Sequence, residues 1–150
     1  MIRPEEYNKK ENAKRLREGL ENHIYFVAEK ARHKYLPLDS LEALKRVMED
    51  REVVRFPATL TFDEAELGSG EAARVDQTDS EEESYRISVH PRFEARQADA
   101  VALTLYTIVK INYGKIAKEK EALLFGALLL DMTEEAYAER LKKLRDEIIN

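Results

Sequence analysis

The first third of the chain carries a helical period. Ala13, Leu16, Leu20, Ile24, Val27 and Ala31 recur at steps of three and four, which predicts one apolar face of a helix over residues 5–35. Gly19 lies inside that span and costs about 1 kcal/mol relative to Ala. Leu36-Pro37-Leu38 ends the helix, because the residue before a proline avoids the α region. Asp39, with Glu42 three residues on, has the spacing of a capping box and predicts the start of a short second helix ending near Asp50. Leu41, Leu44 and Met48 are its expected buried face.

At Val53 the period changes to two. Val54, Phe56, Ala58, Leu60 and Phe62 alternate with Arg55, Pro57, Thr59 and Thr61, the pattern of a half-buried strand. Pro57 cannot donate a ladder hydrogen bond, so the strand is expected at an edge or bulged there. Gly68-Ser69-Gly70 marks a turn, Ala73–Gln77 a second strand, and Tyr85, Ile87 and Val89 a third. Residues 78–84 are a polar hairpin tip. Short connections favour an antiparallel meander.

Beyond Pro91 the pattern is helical again. Val101, Leu103, Leu105, Ile108, Val109 and Ile111 are apolar on nearly every side of a helix over about 95–112, as expected for a segment in the middle of a fold. Asn112-Tyr113-Gly114 is its stop signal. A further helix runs from about Ile116 to Leu130, and Thr133 caps a last one whose buried stripe is Tyr137, Leu141, Leu144 and Ile148. Strands grouped between helices indicate an α+β fold: a small three-stranded antiparallel sheet (about 53–90) packed on a helical layer with a central buried helix. With no repeat and no linker, residues 1–150 read as one domain, and the central helix is expected to leave no room for reactive groups.

Composition narrows the chemistry. The chain lacks Cys, which excludes disulfides, thiolate metal sites and a cysteine nucleophile. The charged N-terminal stretch has no apolar core of a signal peptide, and the run Ala100–Ile111 is shorter than the roughly 20 residues a membrane span needs, so a soluble, cytoplasmic setting without membrane contact is expected. A net charge of −5 argues against nucleic-acid partners. The charge is uneven. Residues 1–35 hold nine Lys and Arg against six acids, and residues 85–115 also carry a net +3, whereas residues 61–84 hold one Arg against nine acids, a net of −8.

Three groups merit a chemical reading. His23 and His33 stand ten residues apart on one helix, about 80° from a common face, and cannot share a metal unaided. The acidic segment with Asp76, Asp79, Glu81, Glu82 and Glu83 does not follow a calcium-loop spacing. It reads as a solvated hairpin able to dock on a basic protein surface. His90, Arg92, Glu94 and Arg96 bracket Pro91, where strand passes to helix; such junctions often carry ligand sites. Glycine-rich phosphate loops and a nucleophile elbow do not occur. No cofactor or metal is expected. The run Leu123–Leu130 would serve a homodimer if one face stayed uncovered.

The order of short strands, buried helix and a further helix behind is similar to that of minimal zincin-type metallopeptidases. Thr104–Ile111 resembles the helix that carries His-Glu-x-x-His in that group. No histidine lies between Pro91 and Asn150, so the resemblance implies at most a degenerate relative without metal ligands or peptidase chemistry. The sequence alone reads as a non-enzymatic interaction or regulatory domain with an acidic hairpin, or alternatively as a ligand-binding or enzymatic domain with a pocket at His90–Arg96.

Overall fold

The computed structural model describes residues 4–149. In chain order these form α1 (Pro4–Tyr35), α2 (Leu41–Glu49), β1 (Ala58–Phe62), β2 (Ala73–Asp79), β3 (Ser84–Val89), α3 (Gln97–Tyr113), α4 (Glu119–Leu130) and α5 (Glu134–Ile149), with single 3-10 turns at Pro91–Phe93 and Gly114–Ile116. The fold is α+β, a small sheet on a helical layer.

The hub is α3. Ala100 to Leu105 and Thr107 to Val109 are all buried, as is Ile111. Two hydroxyls in that run are absorbed by the helix itself: Thr104 donates to the Ala100 carbonyl at 2.8 Å and Thr107 to that of Thr104 at 2.7 Å. The sheet covers one side of α3, with Ile87 and Val89 fully buried and Val75 opposite Ile87. On the other side α4 is wedged between α1, α3 and α5, which takes up most of the Leu123–Leu130 run; Leu123, Leu128 and Leu130 stay half-buried. Tyr137 of α5 is fully buried under Gly126 of α4 and donates to the Ala102 carbonyl at 2.6 Å. A Cβ on Gly126 would stand 2.3 Å from the Tyr137 ring, so only glycine permits this approach.

The sheet corrects the meander. Its order is β1-β3-β2, with β3 antiparallel to β2 but parallel to β1. The segment 63–72 carries the chain past the place beside β1 to the far edge, and β3 returns into the gap. Burial explains the choice: Ile87, Ser88 and Val89 are the most buried strand residues, so β3 takes the centre, while β1, entered through Pro57, stays at an edge. β1 is also shorter than the alternation suggests. After α2 the Asp50 carbonyl accepts the N–H groups of Val53 (3.0 Å) and Val54 (2.8 Å), turning those two buried residues into a loop; ladder pairing starts at Ala58.

Two further expectations are adjusted. The cap of α2 is Ser40, whose Oγ accepts from the Ala43 N–H at 3.1 Å, rather than Asp39. On α1 the stripe from Leu20 to Ala31 is buried, but Ala13 is exposed and Leu16 is 57 % exposed. Arg17 and Glu21 of α1 meet Glu121 and Lys120 at the start of α4, and Arg32 meets Asp131 at its end, so α1 runs parallel to α4. A 12-residue α4 spans about 18 Å against about 48 Å for the 32 residues of α1, and the first turns of α1 outrun their support.

Candidate functional site

The site is built where α1, the loop after α2 and the C-terminal end of α3 meet. His23 precedes Phe26 and Val27 by three and four residues, and these precede Lys30 by four and three, so the four share a strip of α1 beside its core stripe. Val27 faces inward; Phe26 stays 67 % exposed. Facing them, Asn112 and Tyr113 close α3, whose helical path stops at Gly114 (φ 64°).

Asn112 fastens the loop. Its Nδ2 donates to the Val53 carbonyl at 2.7 Å and its Oδ1 accepts the Arg55 N–H at 2.8 Å, so one side-chain amide pairs with the backbone on both sides of Val54. The loop is anchored at its start by Asp50, which accepts from the Tyr35 hydroxyl (2.6 Å), the Lys34 ammonium (3.1 Å) and the Glu52 N–H (3.0 Å). Burial opposes the Asp50 charge, but these hydrogen bonds outweigh it and hold the carboxyl below its ordinary range.

Between these walls lies a cleft of about 490 Å³, a size suited to a small ligand. Val27, Val53 and the Tyr113 ring supply apolar surface. Lys30, Arg51 and Arg55 carry positive charge on its lining against one carboxylate, Glu52. Lys30 lies 3.1 Å from Glu52 and 5.8 Å from the Phe26 ring centre. Arg51 is steadied by the carbonyls of Met48 (2.9 Å) and Val54 (3.4 Å), and Arg55 stacks 5.1 Å over Phe56.

His23 Nδ1 and the Tyr113 hydroxyl are 2.7 Å apart, with the rings edge to face. Burial pushes the Tyr113 phenol up to about 12, so it keeps its proton at neutral pH. A protonated phenol pairs with either imidazole tautomer, donating to a bare Nδ1 or accepting from Nδ1–H.

The residues singled out from sequence are dispersed. His90 caps the 3-10 turn, its Nδ1 accepting the Arg92 N–H at 3.1 Å, and its Nε2 lies 3.2 Å from Glu64. Arg96 and Arg92 turn instead to Glu147 of α5: Arg96 makes a two-pronged contact at 2.7 and 2.9 Å, and Arg92 approaches to 3.4 Å. The Arg96 guanidinium holds the Glu147 carboxyl below its usual range. Asp99 completes the cluster through Arg96 and Arg140. Glu94 is exposed and joins neither group. Arg92 and Arg96 thus form a strut between α5 and the strand-to-helix junction, His90 and Glu94 stand apart from it, and none of the four lines the cleft between α1, the loop after α2 and the end of α3.

The hairpin tip is a pinned turn. Asp79 Oδ1 accepts the N–H groups of Glu81 (2.9 Å) and Glu82 (3.3 Å), and Glu83 takes a left-handed conformation (φ 48°). Glu81, Glu82 and Glu83 are exposed, while Asp76 pairs with Arg74 at 3.0 Å. Among the described residues no three His, Asp or Glu side chains are grouped to hold a metal, and His33 is an exposed side chain 3.9 Å from Glu29. No described helix is long and apolar enough to cross a membrane.

The expectation of no room for reactive groups concerns the segment around Leu105, which is buried; the cleft lies at the end of α3, at Asn112 and Tyr113. His23 and Tyr113 are 90 residues apart, and no local spacing links them. The available signal was the recurrence of His23, Phe26 and Lys30 on α1 next to the core stripe, an aromatic where a solvated helix carries charge. Set against protein-family models, curated proteins and solved structures, the chain matches none of them.

Proposed function

We propose that the chain is a non-enzymatic binding module that holds a small anion with an apolar or aromatic body in the cleft between α1, the loop after α2 and the end of α3. One observation carries the reading: a largely exposed aromatic ring, Phe26, shares a concave wall with donors whose charge exceeds that of the single local carboxylate. An aromatic ring left in water beside a cavity gains most when a ligand covers it. Arg55 is exposed and no ion pair among the described residues engages it, which leaves its guanidinium available for a bidentate contact. The His23 ring adds a polar atom to the same lining. In this arrangement the ligand carboxylate lies toward Arg55 and its body rests on Phe26, Val27 and Val53.

Calorimetric titration with 2-naphthoate tests this. Saturable binding is expected, weakened about tenfold or more by Arg55→Ala and several-fold by Phe26→Ala. Absence of binding at millimolar naphthoate, or equal binding by both variants, would overturn the reading.

A second reading concerns the hairpin. Glu81, Glu82 and Glu83 are exposed on a pinned turn, and no ion pair among the described residues engages them. Such a patch suits docking to a basic protein surface. Replacing the three by Gln is expected to leave the fold intact and abolish salt-sensitive binding of an oligolysine peptide; unchanged binding would remove the idea.

A further inference from the structure

A second cleft lies beyond Tyr113, on the side of α3 facing the sheet. Its volume is about 400 Å³, and it is bounded by β2, the last turns of α3, the 3-10 turn at Gly114 and the start of α4. Lys110, Lys115 and Lys118 all line it. Gly114 brings them together: with φ at 64° it reverses the chain directly after α3, so residues 115 and 118 fall beside 110. The three ammonium groups are exposed, and no ion pair among the described residues engages them. Two other cations of this region, by contrast, are engaged by carboxylates. Arg74, on the same wall, is held by Asp76 at 3.0 Å and flanked by Glu71 at 3.7 Å, and Lys120 is taken by Glu21 at 2.8 Å.

The floor is apolar, formed by Val75, Val109, Ala117 and Ala122, with the half-buried Tyr106 beside them. A Cβ on Gly114 would meet nothing within 4 Å, so the backbone there is open to approach. A smaller cleft of about 270 Å³ shares Val75, Lys110, Gly114 and Lys115 and extends the space along β2 toward Tyr85. Three unpaired point charges around a bare backbone turn call for a compact ligand carrying two or three negative charges. Lysines at hand, with the Arg74 guanidinium on the same wall already engaged by Asp76, match a phosphate group better than a planar carboxylate. Glu71, Asp76 and Glu119 border the same space, and the acidic hairpin continues from β2. An extended polyanion laid across this face would run along more of these carboxylates than a small one held between the lysines.

We propose that this cleft is a second binding site, taking a small molecule with a diphosphate group held by Lys110, Lys115 and Lys118 and a ring-bearing body resting on Val75, Val109 and Tyr106. It is independent of the His23–Tyr113 cleft. The test uses the full chain, isotopically labelled, in low salt of constant ionic strength. Titration with inorganic pyrophosphate is expected to shift the amide signals of Lys110, Gly114, Lys115 and Lys118 saturably, and ADP to bind several-fold more tightly than pyrophosphate. The Lys115→Ala/Lys118→Ala double variant should weaken both by about tenfold or more, whereas Lys120→Ala, on the ion-paired lysine, should leave them unchanged. These are exposed positions, so folding is not at issue. Unsaturable shifts spread over all lysines, equal binding by the double variant, ADP weaker than pyrophosphate, or a single-stranded RNA oligonucleotide binding more tightly than ADP would each overturn the proposal.

Discussion

The two ends of α3 are both rich in polar side chains and behave in opposite ways. At its N-terminal end Arg92, Arg96 and Arg140 are each engaged by Asp99 or Glu147 at 2.7–3.4 Å, and His90 is paired with Glu64. At its C-terminal end Asn112 spends its amide on the neighbouring loop, and Arg55, Lys110, Lys115 and Lys118 have no carboxylate partner, around two clefts. A charge cluster that satisfies itself is a strut. Donors left over beside a cavity are material for a site, because an incoming acceptor displaces only water and no protein partner. Density of charged residues in the sequence does not separate the two cases; pairing does.

The largest effect comes from breaking what both ends share. Gly126→Ala drives a methyl into the fully buried Tyr137 ring, which is tied to α3 through Ala102. We expect a loss of about 3 kcal/mol or more in urea unfolding, with both ends of α3 loosened. A variant as stable as the parent would show that α4 and α5 are not packed as described.

Next comes the open end alone. Asn112→Ala removes both hydrogen bonds to the loop and leaves two backbone groups to find water. A loss of about 1–3 kcal/mol is expected, together with weakened naphthoate binding and an unaltered amide spectrum around His90 and Arg96. Changes confined to the far end of α3 would contradict the division.

Tyr113 sharpens the comparison through pH. Its phenol is held at about 12 by burial, above its ordinary value of 10.0. A group harder to ionise when folded contributes its full stability below the unfolded value and loses it as pH climbs from about 10 through about 12. Tyr113→Phe is therefore expected to be less destabilised than the parent over that window, read from urea midpoints at several pH values. Parallel curves would place the phenol in water.

The smallest effect is expected at the closed end. Glu147 is kept below its usual range chiefly by Arg96, so its contribution is present above roughly pH 4 and fades as pH falls below that. Glu147→Gln should flatten the acid limb of the stability profile, be largely masked by salt, and leave both clefts' ligands unaffected. A marked change in naphthoate or pyrophosphate affinity would join the two ends into one functional unit.

Legibility in the sequence followed the range of the interactions. The all-round apolar pattern of Val101–Ile111 placed α3 at the centre, because a helix apolar on every side has nowhere else to go. The Thr133 cap and the stop at Gly114 were equally local and appear in the structure. The parallel pairing of β1 with β3 was not legible: alternation along a strand sets its faces but not its neighbours, and the choice rests on which strand buries most. The charged run His90–Arg96 stood out in the sequence, yet its partner Glu147 lies on α5, 51 residues beyond Arg96. Asn112 and Tyr113 read as a helix ending, and only the fold sets them against Val53, Arg55 and His23.

The most direct test of the account is an amide and side-chain shift map of the full chain titrated with 2-naphthoate. Saturable changes centred on His23, Arg55, Asn112 and Tyr113, with His90, Arg92 and Arg96 still, are the predicted result. Shifts centred on His90–Arg96 instead, or no saturable change anywhere, would contradict the claim that the open end of α3 is where this protein meets its ligand.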